Sequence, residues 1–305
     1  MSPPASPLAK PPLAGVIRVL PVLLLVPAVL GVYAAMVAVD RASEAAGRAR
    51  GREYVVRLPL PAAGGQIGLP PIAGPLDASR PLVVIDAGHG GHDPGAGTGA
   101  VREKDVTLAL AAALRSRLLA DGGIRVALTR SDDRYLMLAE RAGIARRLNA
   151  DLFISVHADS AENTAASGAT VYTLSDRGSN EAAARLAAAE NRADSVNGVR
   201  LTEQSDTVSA ILVDLSQRET AAKSQDFAQL MLREGAGRLH FRERGLQSAA
   251  FVVLKSADLP SVLFEAGYIS NPEDEAALTS AEGRDTFASV AARAIRIYFA
   301  RQLAG

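Results

Sequence analysis

The chain has 305 residues, 48% of them hydrophobic and 22% charged, and its basic and acidic residues are equal in number. This balance excludes a bulk electrostatic attraction to nucleic acid, so no nucleic-acid partner is expected. The chain has no cysteine, so it has no disulfides, and any metal site must use histidine and carboxylate ligands.

An uncharged apolar stretch, residues 19–39, lies near the N-terminus and is preceded by Lys10 and Arg18. A basic segment followed by an apolar one is typical of a secretory signal, and about 20 apolar residues also suffice to span a bilayer. Residues 1–39 are therefore predicted to be either a cleaved signal peptide or an uncleaved signal anchor. The positive-inside rule then predicts that the rest of the chain lies outside the cytoplasm.

Residues 40–81 are predicted to be a linker, since their second half is rich in proline and glycine. Beyond the linker, short apolar runs alternate with helical stripes. Strands are predicted at 82–86, 124–128, 152–156, 169–174, 249–254 and 261–264, and helices at 106–118, 136–148, 180–193, 221–239 and 283–303. This alternation predicts an α/β fold for a single catalytic domain, 82–305, with a mostly parallel twisted sheet and helices on both faces. The strands are expected to be apolar throughout, as buried strands are.

Polar side chains follow three of the predicted strands. His89 comes shortly after the first, His157 directly follows the third, and Glu265 directly follows the last. Because ligands bind beyond the carboxyl ends of strands in open α/β sheets, these side chains are expected to converge. Glu103, at the start of the first helix, is a candidate third ligand, because two imidazoles and one carboxylate are the usual protein ligands of a catalytic zinc.

Glu265 is a candidate general base, which would take a proton from a zinc-activated water and pass it to a leaving amine. Its apolar flank is expected to raise its pKa by desolvation. Each of these residues, taken singly, is also consistent with an ordinary polar side chain at a strand or helix end. A nucleotide site has little support, because the glycine-rich loop after residue 87 lacks both G-K-[ST] and G-x-G-x-x-G.

These motifs together resemble the zinc-dependent N-acetylmuramoyl-L-alanine amidases of the cell-separation type. The resemblance covers about residues 82–303 and rests on VIDAGHGG at 84–91, DPGA at 93–96, EKD at 103–105, SVHAD at 155–159 and EAGYISNP at 265–272. It implies hydrolysis of the amide between N-acetylmuramic acid and L-alanine in peptidoglycan, during daughter-cell separation or wall remodelling. It also implies that His89, Glu103 and His157 hold Zn²⁺ and that Glu265 is catalytic.

Three further residues near these motifs, or sharing their residue type, have less specific roles. Asp86 is expected to orient either the glycine-rich loop or an imidazole, since ligating histidines often bond a carboxylate. His92 is interpreted as loop surface or as a partner of a ligand, and His240 as structural.

Residues 178–218 resemble the insertion of the division-linked amidases. In that family a helix of the insertion lies across the cleft, a glutamate from it occupies the zinc, and LytM-type activator proteins displace it. The resemblance suggests Glu190 as this glutamate, with Glu181 as the second candidate. The alternative is an alanine-rich helix that simply packs on the sheet.

Residues 40–81 are too short and proline-rich to form the N-terminal β-domain that many division-linked members carry. Membrane attachment or an activator would then have to localise the enzyme. Together with the N-terminal segment, the resemblance implies a periplasmic enzyme that is exported or anchored to the inner membrane.

Two alternatives to this function stay open. The first is a catalytically silent cell-wall binding or divisome scaffold protein on the same fold. The second is a zinc enzyme that cleaves a different amide, as zinc carboxypeptidases do. All four positions of the predicted site are present, which favours the hydrolase.

Overall fold

The computed structural model of this chain describes residues 68–98, 100–161, 163–196, 199–200, 210–256 and 258–304. The predicted signal or anchor segment and most of the predicted linker lie outside these ranges. Within them, no helix combines the length and the hydropathy that a membrane span requires.

The strands of the described ranges are β1 Leu82–Ala87, β2 Gly97–Thr98, β3 Val101–Arg102, β4 Arg125–Leu128, β5 Leu152–His157, β6 Ala169–Leu174, β7 Ser195–Val196, β8 Val199–Arg200, β9 Phe241–Ala249 and β10 Ser261–Glu265. The helices are α1 Glu103–Asp121, α2 Leu138–Arg147, α3 Glu181–Glu190, α4 Ala210–Gly235, α5 Pro272–Thr279 and α6 Ala281–Ala304. Short 3₁₀ helices form at Asn191–Asp194 and Val252–Leu254.

Six strands form one sheet in the order β4-β1-β5-β10-β6-β9. Neighbouring strands are parallel except β10 and β6, which are antiparallel. The strands β6 and β9 therefore run opposite to the other four. As a consequence, the carboxyl ends of β1, β5 and β10 share one edge of the sheet with the beginnings of β6 and β9.

Helices cover both faces of the sheet, as predicted. On one face, buried side chains of α1, α4 and α6 pack in a single apolar cluster with strand residues such as Ile154 and Phe264. On the other face, α2, α3 and the 3₁₀ helix at Val252–Leu254 pack against Phe153 and Leu263. Successive residues of a strand therefore pack in the clusters on opposite faces of the sheet. This alternation is the period of two expected for a pleated strand.

Near the C-terminal part of the domain, one predicted element is wrong, and the prediction lacks one strand and one helix. The predicted strand 249–254 is largely the 3₁₀ helix at Val252–Leu254, and the true strand β9 precedes it. The sequence of β9, FRERGLQSA, is charged because β9 lies at the edge of the sheet, so its pattern did not indicate a buried strand. The helix α5, which the prediction lacked, is only 8 residues long.

The last part of the predicted linker contacts the domain. Ala73 forms an antiparallel bridge with Val126 of β4, with N···O distances of 2.8 and 2.9 Å in the two directions. The Arg125 side chain also donates to the carbonyl oxygens of Ala78 and Arg80. These bonds cover the outer side of β4, which would otherwise be an unpaired sheet edge.

Candidate active site and metal centre

The loop that follows β1 carries the first predicted ligand in an unusual backbone conformation. His89 has a φ of 60°, and Gly90 and Gly91 also have positive φ. The buried Arg130 guanidinium donates to the carbonyl oxygens of Ala87 and Gly88, which fixes the start of this loop. The loop is thus held by backbone hydrogen bonds rather than by apolar side chains.

Four side chains from four different parts of the chain converge at the carboxyl-end edge of the sheet. His89 Nε2 lies 3.1 Å from Glu103 Oε2, and His157 Nδ1 lies 3.1 Å from Glu103 Oε1. Glu190 Oε2 lies 3.3 Å from His89 Nε2 and 3.2 Å from His157 Nδ1. One candidate ligand atom from each residue lies within 4.8 Å of all the others, and all four residues are buried.

The donors in this group fit a divalent metal better than they fit one another. His89 Nε2 and Glu190 Oε2 are fully buried, yet neither has a hydrogen-bond partner among the described residues. Buried polar atoms without partners are rare in folded proteins. Two imidazole nitrogens and a carboxylate are also the donor set of catalytic zinc sites. His89, Glu103, His157 and Glu190 therefore form a group that is compatible with binding a metal ion. We call these four residues the metal group.

Backbone donors hold Glu103 in place. Its Oε1 accepts from Ala158 N at 2.9 Å and its Oε2 accepts from Ala96 N at 2.9 Å. Burial by itself would raise the pKa of Glu103, but the two facing histidines outweigh it and hold that pKa well below its ordinary value. Glu103 is therefore a carboxylate, the form that ligates metal.

The carboxylate that orients His89 is Asp93, which the sequence analysis did not single out. Asp93 Oδ2 lies 2.8 Å from His89 Nδ1, so Nδ1 is bonded and Nε2 faces the other ligands. A bond of this kind fixes the tautomer and the ring orientation of a ligating histidine. The only signal in the sequence is the spacing of four residues within a glycine-rich turn.

Asp86 orients the loop and not an imidazole. Its carboxylate accepts from Thr129 Oγ1, from Ser155 Oγ and from Arg141 Nη1, at 2.6, 2.7 and 2.9 Å. The same Arg141 guanidinium donates to the carbonyl oxygen of His89 at 2.8 Å. Of the two roles predicted for Asp86, the structure shows the one that acts through the loop.

Glu265 lies beside the metal group at the end of β10. In the parallel pairing of β10 with β5 it is the partner of His157, and its Oε1 accepts from Asp159 N at 2.7 Å. Its Oε2 is buried without a hydrogen-bond partner among the described residues. Burial, followed by the negative charges of Glu103, Asp159 and Glu190, raises the pKa of Glu265 well above its ordinary value, in the predicted direction.

The two candidates on α3 have different surroundings. Glu190, the last residue of the helix, is 6% exposed and belongs to the metal group. The Glu181 side chain is 85% exposed and pairs with Arg185 at 2.7 Å. Only the first of the two candidates therefore faces the metal group.

The two remaining histidines lie outside the metal group. The exposed His92 ring packs on Tyr135, with ring centroids 4.1 Å apart. His240 is also exposed, and its carbonyl oxygen accepts from Ala169 N at the start of β6. Neither imidazole is among the four grouped donors.

The fold and this site define a class of protein: an α/β protein with a buried His/Glu/His/Glu group, compatible with a metal ion, beside a further glutamate at one edge of its sheet. Residues 83–296 match the model of the N-acetylmuramoyl-L-alanine amidase family, Amidase_3, and the chain belongs to this family. The family confirms the predicted enzyme class, with peptidoglycan as substrate, and nothing in the described residues favours a catalytically silent protein.

Known relatives agree with this family. The chain is 42% identical to N-acetylmuramoyl-L-alanine amidase AmiA of Escherichia coli (strain K12) over 220 residues, which is 72% of this chain and 76% of that protein. Among solved structures, the catalytic domain of the amidase CwlV from Bacillus (Paenibacillus) polymyxa var. colistinus has 28% identity and a TM-score of 0.53, covering 72% of this chain and 98% of that one. The amidase AmiC2 of Nostoc punctiforme has 29% identity and a TM-score of 0.51, with 72% and 97% covered.

Proposed function

We propose that this protein hydrolyses the amide bond between the lactyl group of N-acetylmuramic acid and L-alanine in peptidoglycan, in daughter-cell separation or wall remodelling. In this proposal His89, Glu103 and His157 hold a zinc ion. The observation that carries it is the convergence of their donor atoms at 3.1 Å contacts, with a buried His89 Nε2 that has no other partner. The relatives named amidases in bacteria support the same reaction.

When bound, zinc lowers the pKa of water towards neutrality and polarises a carbonyl group. Among the residues of the protein, Glu265 is proposed to transfer the proton. With Oε1 held by Asp159 N, its unpartnered Oε2 is the atom that takes the proton from the attacking water. As the carbon–nitrogen bond breaks, the same oxygen gives this proton to the leaving amine of L-alanine. Burial and the neighbouring carboxylates raise the pKa of Glu265, and a raised pKa favours the step in which its carboxylate accepts a proton.

Digestion of purified peptidoglycan tests the function directly. Mass spectrometry of the soluble products is expected to show free stem peptides that begin with L-alanine. Chelation is expected to abolish their release, and added zinc to restore it. A product that keeps L-alanine attached to muramic acid would contradict the proposal, and would point to cleavage of a different amide.

Three variants separate metal binding from proton transfer. Glu265→Ala is expected to retain zinc and to lose about 10²–10⁴-fold in turnover, the usual contribution of a general acid–base group. His89→Ala is expected to lose both zinc and activity. His240→Ala, which changes an exposed histidine outside the metal group, is the matched control and is expected to retain both.

We also propose that α3 inhibits the enzyme until a partner displaces it. Glu190 Oε2 contacts both histidines of the metal group, at 3.3 and 3.2 Å, where it would compete with water or substrate for the metal. A LytM-type activator is the proposed partner. Residues 197–198 and 201–209 of the predicted insertion lie outside the described residues, so the proposal rests on α3 alone.

The proposed substrate lies outside the cytoplasm, and the predicted N-terminal segment would bring the enzyme to it. Lys10 and Arg18 before the apolar stretch 19–39 support export or anchoring at the inner membrane. Sequencing the N-terminus of the mature protein distinguishes a cleaved signal from a retained anchor.

A further inference from the structure

The sheet edge beside Glu265 has an irregular strand. Glu265 of β10 pairs with Thr170 of β6, whose neighbour Ala169 pairs with Phe241 of β9. The β6–β9 pairing then resumes only at Val171 and Leu246, so residues 242–245 bulge out opposite Thr170. Bulges occur next to active sites, where they re-aim a side chain. The bulge begins with Arg242.

The Arg242 side chain is held in place over an aromatic ring. Its Nη1 donates to Tyr268 Oη at 2.6 Å, and its Cζ lies 5.3 Å from the centroid of the Tyr268 ring. The ring itself is buried, and the next residue, Ile269, donates its backbone N–H to the carbonyl oxygen of Asp159. A hydrogen bond and a cation–π contact thus fix the guanidinium before any ligand binds.

This guanidinium has no carboxylate within ion-pair distance among the residues that the structure describes. Other arginines of the domain do have one, for example Arg141 with Asp86 and Arg134 with Asp132. Arg242 is partly buried, and one hydrogen bond leaves most of its five N–H donors available. A pre-oriented arginine with free donors is suited to binding a carboxylate in a bidentate manner.

Arg242, on β9, also lies on the opposite side of β10 from β1 and β5, the strands that lead to His89 and His157. In the proposed reaction Glu265 gives its proton to the leaving amine, which places this amine beside β10. Because the metal group lies on the β5 side of Glu265, the side towards β6 and β9 is left for the stem. The strand β9 lies two strand spacings, about 10 Å, from β10. Each further residue of the stem lengthens the peptide by at most about 3.8 Å. Burial and then the charge of Glu265 raise the pKa of Tyr268 to about 12, which is consistent with a short distance between Glu265 and the ring that holds Arg242.

We propose that Arg242 binds a carboxylate of the stem peptide just beyond L-alanine, and so selects stems by their charge. The stem residue after L-alanine is a glutamate joined through its side chain, so its α-carboxyl group is free unless the wall amidates it. This inference rests on the proposed function, because it places the stem by the direction of proton transfer. Arg242 thereby becomes a specificity residue that touches substrate without taking part in the chemical step.

The test compares two synthetic muramoyl tetrapeptides that differ only at this position, one with the free α-carboxylate and one with the α-carboxamide. The quantity of interest is the ratio of kcat/KM for the carboxylate substrate to that for the carboxamide. Any factor common to both substrates, including inhibition by Glu190, cancels in this ratio. The wild-type protein is expected to prefer the carboxylate by about 10- to 100-fold, the range for a hydrogen bond to a charged group.

Arg242→Gln is expected to abolish this preference while cleaving the carboxamide substrate within about threefold of wild type, most of the change being in KM. Arg242→Lys is expected to restore part of the preference, because it keeps the charge and loses the bidentate geometry. Arg177→Gln, which makes the same charge change beyond the opposite end of β6, is the control and is expected to keep the full preference.

Failure of the inference and failure of the function give different results. If wild-type protein cleaves neither substrate between muramic acid and L-alanine, the proposed function fails. If wild type cleaves both substrates and Arg242→Gln leaves the ratio unchanged, the function stands and Arg242 does not read the carboxylate. A loss of activity of Arg242→Gln that is equal on both substrates also overturns the inference, because it indicates a structural role.

Discussion

Single glycines decide whether the ligands can approach one another. A Cβ at Gly95 would lie 2.6 Å from Glu103 Oε2 and 2.7 Å from His89 Cδ2, and Gly95 has a φ of 66°. A Cβ at Gly88 would lie within 2.8 Å of three atoms of the His157 ring. These glycines are needed because two ligands fill the space that a side chain would take.

Gly95→Ala is therefore expected to damage the metal group while leaving the fold intact. The added methyl must displace Glu103 or His89, and the positive φ adds strain. Displacing a ligand or its support typically lowers metal affinity by about 10–100-fold. Zinc affinity measured by competition with a chromophoric chelator, alongside far-UV circular dichroism, checks this.

The control is Gly97→Ala, two residues further on at the start of β2, where φ is not positive and the nearest atom to a new Cβ is Val101 O at 3.3 Å. This variant is expected to bind zinc as wild type does. Equal zinc affinity for Gly95→Ala and wild type would show that the close approach at residue 95 does not govern the site.

At this scale the sequence indicated which residues meet but not how each is oriented. His89, Glu103 and His157 could be found because they follow strand ends or begin a helix, and such positions share an edge in a parallel sheet. Asp93 could not, because its contact with His89 Nδ1 depends on the positive φ of His89. A backbone conformation of this kind is not encoded in residue type or period.

A buried ion pair joins the first strand to the second helix. Arg141 of α2 is 2% exposed and donates to Asp86, which is fully buried in β1. The same guanidinium donates to the carbonyl oxygens of Ala87 and His89, at 2.7 and 2.8 Å. This pair therefore couples the packing of α2 on the sheet to the loop that carries the first ligand.

Asp86→Asn is expected to lower the free energy of unfolding by about 3–5 kcal/mol, because it leaves the buried charge of Arg141 without its partner. Urea unfolding at pH 7 measures this. Asp77→Asn, which changes an exposed carboxylate 3.6 Å from Arg80, is the control and is expected to leave the free energy of unfolding close to that of wild type. A cost below about 1 kcal/mol for Asp86→Asn would contradict the coupling.

The same pair predicts how stability depends on pH. Burial raises the pKa of Asp86, but Arg141, Thr129 and Ser155 outweigh it, so the pKa in the folded state lies below the usual 3.8. A lowered pKa means that the stabilisation is fully present above pH 3.8 and is lost as pH falls through the folded-state value. The free energy of unfolding of Asp86→Asn is therefore expected to fall less steeply below pH 4 than that of wild type.

Elements were predictable where burial imposed a period and were missed where it did not. On α1, the apolar stripe faces the core of the domain, so its spacing of four residues indicates a helix. This stripe consists of Val106, Leu110, Leu114 and Leu118. The strand β9 has one side open at the sheet edge and carries the bulge at 242–245, so its apolar positions do not alternate regularly. The sequence analysis therefore assigns no element to its charged sequence and predicts a strand in the apolar run that follows.

At the scale of the whole molecule, hydrogen bonds to distant parts of the chain hold α3 at both of its ends. At its start, Asn180 caps the helix and its Nδ2 donates to Gln247 of β9 at 2.6 Å. Just past its end, Asn191 bonds the backbone of Ala250 and of Val252, each at 2.8 Å. These bonds span residues far apart in the chain, which is why the sequence indicated the helix and its glutamate but not what holds them.

If α3 inhibits the enzyme, basal activity is expected to rise when either its glutamate or the hydrogen bonds that hold the helix are removed. Glu190→Ala removes the competing carboxylate outright. Asn191→Ala removes two hydrogen bonds worth about 1 kcal/mol each, so it is expected to raise the open population and the basal rate by about 30-fold. The measurement is release of stem peptides from purified peptidoglycan without an activator, with zinc content determined for each variant.

Glu181→Ala provides the matched control, since it makes the same substitution on the same helix at a side chain that is 85% exposed. It is expected to leave the basal rate unchanged. An activator that works by displacing α3 should accelerate wild type strongly and Glu190→Ala hardly at all, because the substituted helix has no ligand to withdraw. If Glu190→Ala and Asn191→Ala both hydrolyse peptidoglycan at the wild-type rate with wild-type zinc content, α3 is a packing element, and regulation must lie elsewhere in the chain.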